Sequence, residues 1–347
     1  METNKIYQGD CMDVLKTFPN DSVDCVVTSP PYWAVRDYGT EKQIGLEEHP
    51  QEYIDKIVAV MKECKRVLKP TGTIFLNVGD SFYTKSGSGQ GSNFLDRHKQ
   101  LSEGRDTLKK AHTQTRGKFK SNWLQSKQRL LIPHRIAIAM QEELGLICRN
   151  DITWVKQYAN WKTKKSAGTA MPTSVQDRLN THSEMLFMFV KNPKYYFNLD
   201  GIRIRHNWAD KDSRFINGPT KGGKTLSGQY SMQCAGAYHP KGKNPGDCIM
   251  FPLEPSSDNH FAMFPKTLPD FCIRCGCPED GIVLDPFAGG GTTLYMAKRL
   301  DRKYIGIELN EEYVALINKK LSQENITGFF DTQAEPSVQS LNSNLRY

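Results

Sequence analysis

Two short stretches carry the residue types from which chemistry can be built. Ser29-Pro30-Pro31-Tyr32 follows the largely apolar run Val23 to Val27. Asp285-Pro286-Phe287-Ala288-Gly289-Gly290-Gly291-Thr292-Thr293 follows Ile282-Val283-Leu284. Each reads as a buried strand that ends in a sharp turn. In the first, a hydroxyl, a carbonyl and an aromatic ring lie side by side, and the two prolines bring no competing N–H. An amino group conjugated to a ring is a poor nucleophile, because its lone pair is delocalised. Attack on a methyl group requires the nitrogen to move towards sp3 geometry, and acceptors at its two protons favour that change. Ser29 offers a side-chain oxygen and Pro30 its carbonyl. Tyr32 can stack on a flat base, and Trp33 adds an apolar wall. A base inside a duplex is out of reach of such a pocket, so a duplex substrate implies base flipping. The plainer reading is a strand stop with Tyr32 packed in the core.

The second stretch opens a unit that runs strand, Gly-rich turn, helix, strand, acid, from Gly281 to Glu308. The glycines let backbone approach a ligand closely. Glu308 stands 19 residues after Gly289, the spacing at which an acid accepts hydrogen bonds from ribose hydroxyls in dinucleotide folds. The loop departs from Gly-x-Gly-x-x-Gly, however, and Asp285 places a carboxylate beside it. That suits an amine-bearing cationic ligand better than a pyrophosphate. S-adenosyl-L-methionine, with a sulfonium, an ammonium and no phosphate, is therefore favoured over NAD. Against this stands a helix cap at Asp285 and close helix–strand packing through the glycines.

The elements that must position these stretches alternate in kind. Ile6 to Asp10 is expected as a strand, Asp13 to Phe18 as a helix, and Val23 to Thr28 as a buried strand. Tyr53 to Leu68 has apolar residues at helical period, and Lys69-Pro70-Thr71-Gly72 is expected to end it before a strand at Thr73 to Val78. Pro133 suits the first turn of a helix that runs to about Leu144. Asp151 to Val155, Glu184 to Val190 and Tyr195 to Phe197 are expected strands. The last block reads strand, helix, strand, helix: Gly281 to Asp285, Thr292 to Leu300, Tyr304 to Glu308, Glu311 to Leu321. Helix–strand alternation favours a parallel sheet.

Composition bounds the function class. At 347 residues, 38% hydrophobic and 24% charged, the chain can bury a large α/β core. No apolar run is long enough for a membrane-spanning helix, and no signal-peptide pattern opens the chain, so a cytoplasmic location is expected. Nine scattered cysteines suit reduced thiols. The net charge of +8 is uneven. Thr84 to Leu130 holds 11 Lys and Arg against 3 acids, and Lys156 to Lys224 holds 13 against 5. Two basic stretches point to a polyanion such as a nucleic acid, or else are solvated surface loops.

These residues resemble an S-adenosyl-L-methionine-dependent DNA amino-methyltransferase over most of the chain. Thr28-Ser29-Pro30-Pro31-Tyr32 matches that family's catalytic motif, and Asp285 to Thr293 with Gly306-Ile307-Glu308 matches its cofactor loop and ribose acid. Ile6 to Asp10 with Cys11 onwards is similar to the segment lining the cofactor adenine, which implies cofactor contacts at Asp10 and Cys11. Asn259 to Pro265 resembles the segment that closes over the methionine end, implying contacts at Phe264 and Pro265. The catalytic motif precedes the cofactor motif, as in the β group of this family. The resemblance therefore implies a Rossmann-like methyltransferase fold, circularly permuted, with a parallel-dominated sheet of about seven strands and an inserted target-recognition region. The expected division is a catalytic part at 1–197 with a basic insertion at 83–128, target recognition at 198–258, a cofactor part at 259–326 and a loose tail at 327–347. Serine at position 29 goes with N4 of cytosine in the family, with N6 of adenine as the alternative. A catalytically silent DNA-binding protein, or methylation of RNA or a protein glutamine, fits less well. DNA is the expected partner. Any cognate restriction endonuclease would be a separate protein, because no nuclease signature stands out.

Trp33, Arg36 and His182 are the expected base or DNA contacts, His182 alternatively a packing residue. Trp154, Trp161 and Trp208 lie among basic residues and fit stacking on bases or anchoring of loops. Cys272, Cys275 and Cys277 form Cys-x2-Cys-x-Cys, for which His260 or Cys248 could complete a zinc site. A tight turn of small buried thiols is the favoured reading, and no metal is expected. His134 is expected in a capping or surface role.

Overall fold

Eight of the strands among the described residues form one sheet, labelled in chain order. Across the sheet they run β1 (Lys5–Gln8), β10 (Lys303–Glu308), β9 (Ile282–Asp285), β2 (Val23–Thr28), β3 (Leu68–Val78), β7 (Ser183–Val190), β4 (Ile147–Val155) and β8 (Cys248–Met250). Pairing is parallel from β1 to β3 and antiparallel on both sides of β7, and β8 is parallel to β4. Only β7 thus runs against the rest. The computed structural model describes residues 1–35, 38–40, 42–83, 124–168, 175–205, 239–251 and 264–327, the last five by backbone alone. Most of the basic insertion, much of 198–258 and nearly all of the tail lie outside these residues.

Helices cover both faces of the sheet. Helices α1 (Cys11–Lys16), α2 (Pro50–Val67) and α3 (Ile132–Glu142) pack on one face, through Leu15, Ile54, Ile57, Met61, Ile136 and Met140. Helices α4 (Thr267–Gly276), α5 (Thr292–Arg299) and α6 (Glu311–Thr327) pack on the other, through Leu268, Ile273, Leu294 and Ile317. Alternate residues of β2 feed the two cores, Val26 to the first and Cys25 and Val27 to the second. A parallel strand covered on both sides is largely apolar, and every residue of β2 is buried, Asp24 and Thr28 among them.

Several details depart from the sequence expectation. Lys69 to Gly72 do not form a turn outside the sheet, because β3 already begins at Leu68. Val23 faces Leu68 and Cys25 faces Thr73, so the intervening residues bulge. Gly72 is needed there, since a Cβ would stand 2.6 Å from Leu68 Cδ1 and 2.8 Å from the Asp24 carbonyl. Tyr195 to Phe197 forms no strand. Tyr196 N–H donates to Thr71 O at 2.9 Å and the Tyr195 hydroxyl accepts Arg149 Nε of β4 at 2.8 Å, and aromatic residues without a partner edge do not make a ladder. The cysteine triplet is not a tight turn: Cys272 and Cys275 lie within α4 and Cys277 caps it, all three buried. The small thiols let α4 sit close to the sheet, and a Cβ on Gly276 would come within 2.4 Å of the Phe75 ring. Burial pushes all three thiols up, and no metal-holding group of His, Cys, Asp and Glu occurs among the described residues. Finally, β8 and the 3-10 turn Leu199–Ile202 fall inside the stretch expected for target recognition, yet both join the main body. The 3-10 turn is held by Asn198 N–H to Cys275 O at 2.8 Å.

Candidate active site

Because β2 and β9 are adjacent and parallel, with Cys25 facing Val283 and Val26 facing Leu284, the turns after them leave the same edge of the sheet. That edge, at the carboxyl ends of the strands, is where open α/β sheets bind ligands. One hydrogen bond fastens the two turns together. Thr28, the last residue of β2, donates its hydroxyl to Asp285 Oδ1 at 2.6 Å. The same oxygen accepts Phe287 N–H at 3.1 Å. Asp285 is 2% exposed, and burial pushes its carboxyl up to about 6, opposed by the Thr28, Thr293 and Phe287 donors. The acid expected to face a cofactor thus sits directly beneath the loop, and its charge is held in a dry environment.

The loop above it is shaped by glycine. Gly291 has φ +73°, and a Cβ there would lie 2.6 Å from Ile317 Cγ2. Gly289 has φ +51°, yet a Cβ on it would meet nothing nearer than the Phe287 carbonyl at 3.8 Å. At Gly289 the backbone therefore borders open space rather than packed protein. Glu308, at the end of β10, accepts Gly289 N–H at 2.8 Å through Oε2 and Asn310 N–H at 2.9 Å through Oε1. Burial pushes its carboxyl up against the pull of those donors. Each oxygen retains a lone pair for a ligand hydroxyl. Ala288 N–H donates to Ile307 O at 2.9 Å, which ties the loop to the strand that ends in Glu308. Pro286 lies between the buried Asp285 and the partly buried Phe287, and Thr292 and Thr293 open α5 as buried residues. These groups fit a ligand bearing a ribose and cationic amine or sulfonium groups: bare backbone, a carboxylate for vicinal hydroxyls and a buried negative charge.

The other expected cofactor residues border this place with differing roles. Asp10 caps α1, accepting Met12 N–H at 2.9 Å and Asp13 N–H at 3.2 Å, and the neighbouring Gly9 N–H donates to Glu308 O at 2.9 Å. Cys11 is buried in the core, its thiol pushed up to about 12 by burial. Phe264 and the buried Pro265 precede α4. Lys266 Nζ lies 4.9 Å over the Tyr295 ring of α5, so the segment runs alongside the helix that follows the glycines.

Across the edge, Ser29 and Tyr32 belong to a polar cluster that the sequence reading missed. Ser29 Oγ donates to Asn77 Oδ1 at 3.3 Å and stands 3.5 Å from the Tyr32 hydroxyl. The Tyr32 hydroxyl lies 2.7 Å from Glu184 Oε2 and 3.0 Å from Asn77 Oδ1. Asn77 Nδ2 donates to Met185 O at 3.1 Å and to Glu184 Oε2 at 3.4 Å, and Lys156 pairs with Glu184 Oε1. The logic of the cluster is directional. A carboxylate is an acceptor only, so Glu184 draws the phenol proton and the Asn77 amide. This turns Asn77 Oδ1 towards Ser29, whose proton it takes, and the Ser29 lone pairs are left to accept. Burial and the Glu184 charge push the Tyr32 phenol well above its ordinary value, so it stays a neutral donor. A signal for these partners existed in the sequence: Asn77 interrupts the apolar run Ile74 to Val78, and Glu184 heads Met185 to Val190.

The prolines are also anchored. Pro30 is buried, and Pro31 O accepts the Tyr53 hydroxyl at 2.9 Å. Trp33 does not wall the pocket. It is 4% exposed, and its Nε1 donates to Glu47 O at 3.1 Å, so it pins the loop from behind. Arg36 lies outside the described residues, as does Trp208. His182 is partly buried two positions before Glu184, and its carbonyl accepts Lys156 N–H at 2.8 Å. Trp154 is a core anchor, 2% exposed, with Nε1 donating to Phe251 O at 2.9 Å. His134 is exposed on α3, its ring edge-on to Phe187.

The Tyr32 ring rests on Gly79, where a Cβ would approach to 2.4 Å. Gly79→Ala should therefore displace the ring. The expected loss is about 1–3 kcal/mol of stability from overpacking, together with at least a tenfold fall in turnover. Thermal melting and a turnover assay check it, and an unchanged turnover would show that the ring position is immaterial.

The family model described as DNA methylase, of the N6/N4 methyltransferase group, matches residues 23–319. The type II methyltransferase M.Cfr9I of Citrobacter freundii is 34% identical over 320 residues, covering 92% of this chain and 88% of its own. M.XycI of Xanthomonas campestris pv. cyanopsidis is 33% identical with the same coverage, 92% and 88%. Among solved structures, the PvuII DNA methyltransferase (cytosine-N4-specific) superposes with a TM-score of 0.57 over 92% of this chain and 86% of its own, at 20% identity. With the Ser29–Tyr32 turn and the glycine loop fastened at one edge of its sheet, this chain belongs to the N6/N4 DNA methylase family.

Proposed function

We propose that the chain transfers a methyl group from S-adenosyl-L-methionine to the exocyclic N4 amine of cytosine in DNA, at a specific site and on a flipped base. The observation that carries this reading is the Ser29–Asn77–Glu184 arrangement: it turns the serine proton inward and its lone pairs outward, beside a loop with a ribose acid. When bound, the cofactor supplies an electrophilic methyl group. Everything else is done by this chain. Glu308 and the Gly289 backbone hold the ribose end, and the buried Asp285 charge favours the cationic end. Ser29 Oγ and the Pro30 carbonyl accept the two amine protons, drawing the nitrogen lone pair out of the ring, and Tyr32 forms a side of the base slot. As the nitrogen becomes positive these acceptors gain strength, so the stabilisation is largest at the transition state. A proton then leaves the nitrogen by way of Ser29 or water, and the reaction needs no metal.

Serine at position 29 favours cytosine over adenine N6, although both present an aromatic NH2. The relatives are type II methyltransferases, and a cognate endonuclease would act as a separate protein. The test is incubation with plasmid DNA and tritiated cofactor, followed by mass spectrometry of the nucleosides. N4-methylcytosine is expected. N6-methyladenine would overturn the base assignment, and unlabelled DNA the methylation reading.

A further inference from the structure

After β4 the chain passes Lys156 and forms a hairpin of β5 (Gln157–Asn160) and β6 (Lys165–Gly168). Among the described residues the two strands pair only with each other, from Gln157 opposite Gly168 to Asn160 opposite Lys165. Neighbouring positions Tyr158 and Ala159 are both exposed, as are Lys165 and Ser166, so both faces of the ribbon meet solvent. A two-stranded ribbon without a buried face is at best marginally stable by itself. Here its ends are fixed locally. Gly168, at φ +87°, lies so close to the Lys156 carbonyl that a Cβ would come within 2.2 Å. At the other end Asn160 Oδ1 accepts Thr163 N–H at 3.0 Å and shapes the turn.

The tip is aromatic and cationic. Trp161 is 83% exposed, more than any other aromatic side chain among the described residues. Lys164 Nζ stands 3.0 Å from the centre of its ring. Lys162 and Lys165 flank it, and no acid occurs between Gln157 and Gly168. The root of the ribbon is Lys156, the ion-pair partner of Glu184 in the catalytic cluster. Trp161 follows five residues later, and a strand rising about 3.3 Å per residue carries it roughly 16 Å from that root.

We propose that this ribbon is a DNA arm: its three tip lysines bind backbone phosphates of the substrate duplex, and Trp161 stacks on bases beside the flipped nucleotide. Indole faces stack on any base, lysines release counterions from phosphates, and a two-stranded ribbon fits the major groove. The arm lies outside the 198–258 stretch and gives DNA contact to a part of the chain that the motifs do not mark. The inference rests on the DNA-methylation reading.

The test uses the full chain, plasmid DNA and tritiated cofactor, with Trp161→Ala and a combined Lys162→Ala, Lys164→Ala, Lys165→Ala variant. Both alter exposed side chains, so thermal melting should match wild type. Trp161→Ala should raise KM for DNA about tenfold and leave cofactor affinity unchanged. The lysine variant should flatten the plot of log affinity for duplex against log salt by about 2 to 3. Wild-type emission should be quenched by duplex DNA more than that of Trp161→Phe. If the wild type methylates DNA while both variants keep its KM and salt slope, the arm is overturned and the methylation reading stands. A wild type that binds cofactor and labels no DNA overturns the reading, and the arm with it.

Discussion

Ser29→Ala should lower methyl transfer by about 10²–10³-fold, the usual effect of removing one preorganised group that stabilises transition-state charge. Cofactor affinity should stay within about twofold of wild type. Stability should fall by no more than about 1–3 kcal/mol, the cost of leaving a buried acceptor without its donor, because Asn77 Oδ1 loses the Ser29 hydroxyl while Asn77 Nδ2 keeps Met185 O and Tyr32 keeps Glu184. This contrast between turnover and cofactor affinity separates a catalytic role from a structural one, since a strand stop lost at position 29 would move melting, affinity and turnover together. Single-turnover transfer of tritiated methyl, calorimetric cofactor binding and thermal melting measure the three quantities. Wild-type turnover in Ser29→Ala would mean that the serine is not an acceptor for the amine.

Asp285→Asn should weaken binding of S-adenosyl-L-methionine at neutral pH by about tenfold or more, and abolish its dependence on pH near 6. Wild-type Asp285 titrates at about 6 because burial disfavours its charge. Below that pH the carboxyl is neutral and cannot favour a cationic ligand; above it, the charge is present. An opposite charge nearby is worth about 1–3 pKa units, and linkage makes that a loss of at least about tenfold in affinity as pH falls through 6. The effect on folding has the opposite sign. The carboxyl pKa is raised above its ordinary value of 3.8, so the stability it contributes is fully present below about 3.8 and lost as pH rises through about 6. The loss is about 3 kcal/mol, at about 1.36 kcal/mol per unit. Asparagine can still accept from Thr28 and Phe287 while carrying no charge. Its stability relative to wild type should therefore improve as pH rises from 4 to 7, while its cofactor affinity stays low and flat. Isothermal calorimetry across that range, with melting at each pH, gives both curves. A wild-type affinity that does not change between pH 5 and 7 would remove Asp285 from cofactor recognition.

The parts of the fold and site whose signals are local were legible in the order of residue types. The strand before Ser29, the glycine turn after Asp285, the period of α2 and the acid at Glu308 all follow from side-chain periodicity and turn chemistry. These act over a few residues and leave a mark in the order of residue types. The resemblance to a known family added the relation between the two motifs, which lie at opposite ends of the chain. Tertiary structure alone decided how they meet. Thr28 and Asp285 are 257 positions apart, and nothing in either stretch names the other. Asn77 and Glu184 became part of the site only because β3 and β7 are neighbours, in register with Asn77 opposite Leu186 and Val78 opposite Met185. Trp33, a pocket wall by composition, turned inward because Glu47 offered its indole a carbonyl. Tyr158 and Trp161 are apolar in type yet exposed, because the ribbon that carries them has no sheet to cover. Burial and long-range pairing belong to the packed whole, and so they decide which polar groups in the two motifs face each other and which remain free to meet a substrate.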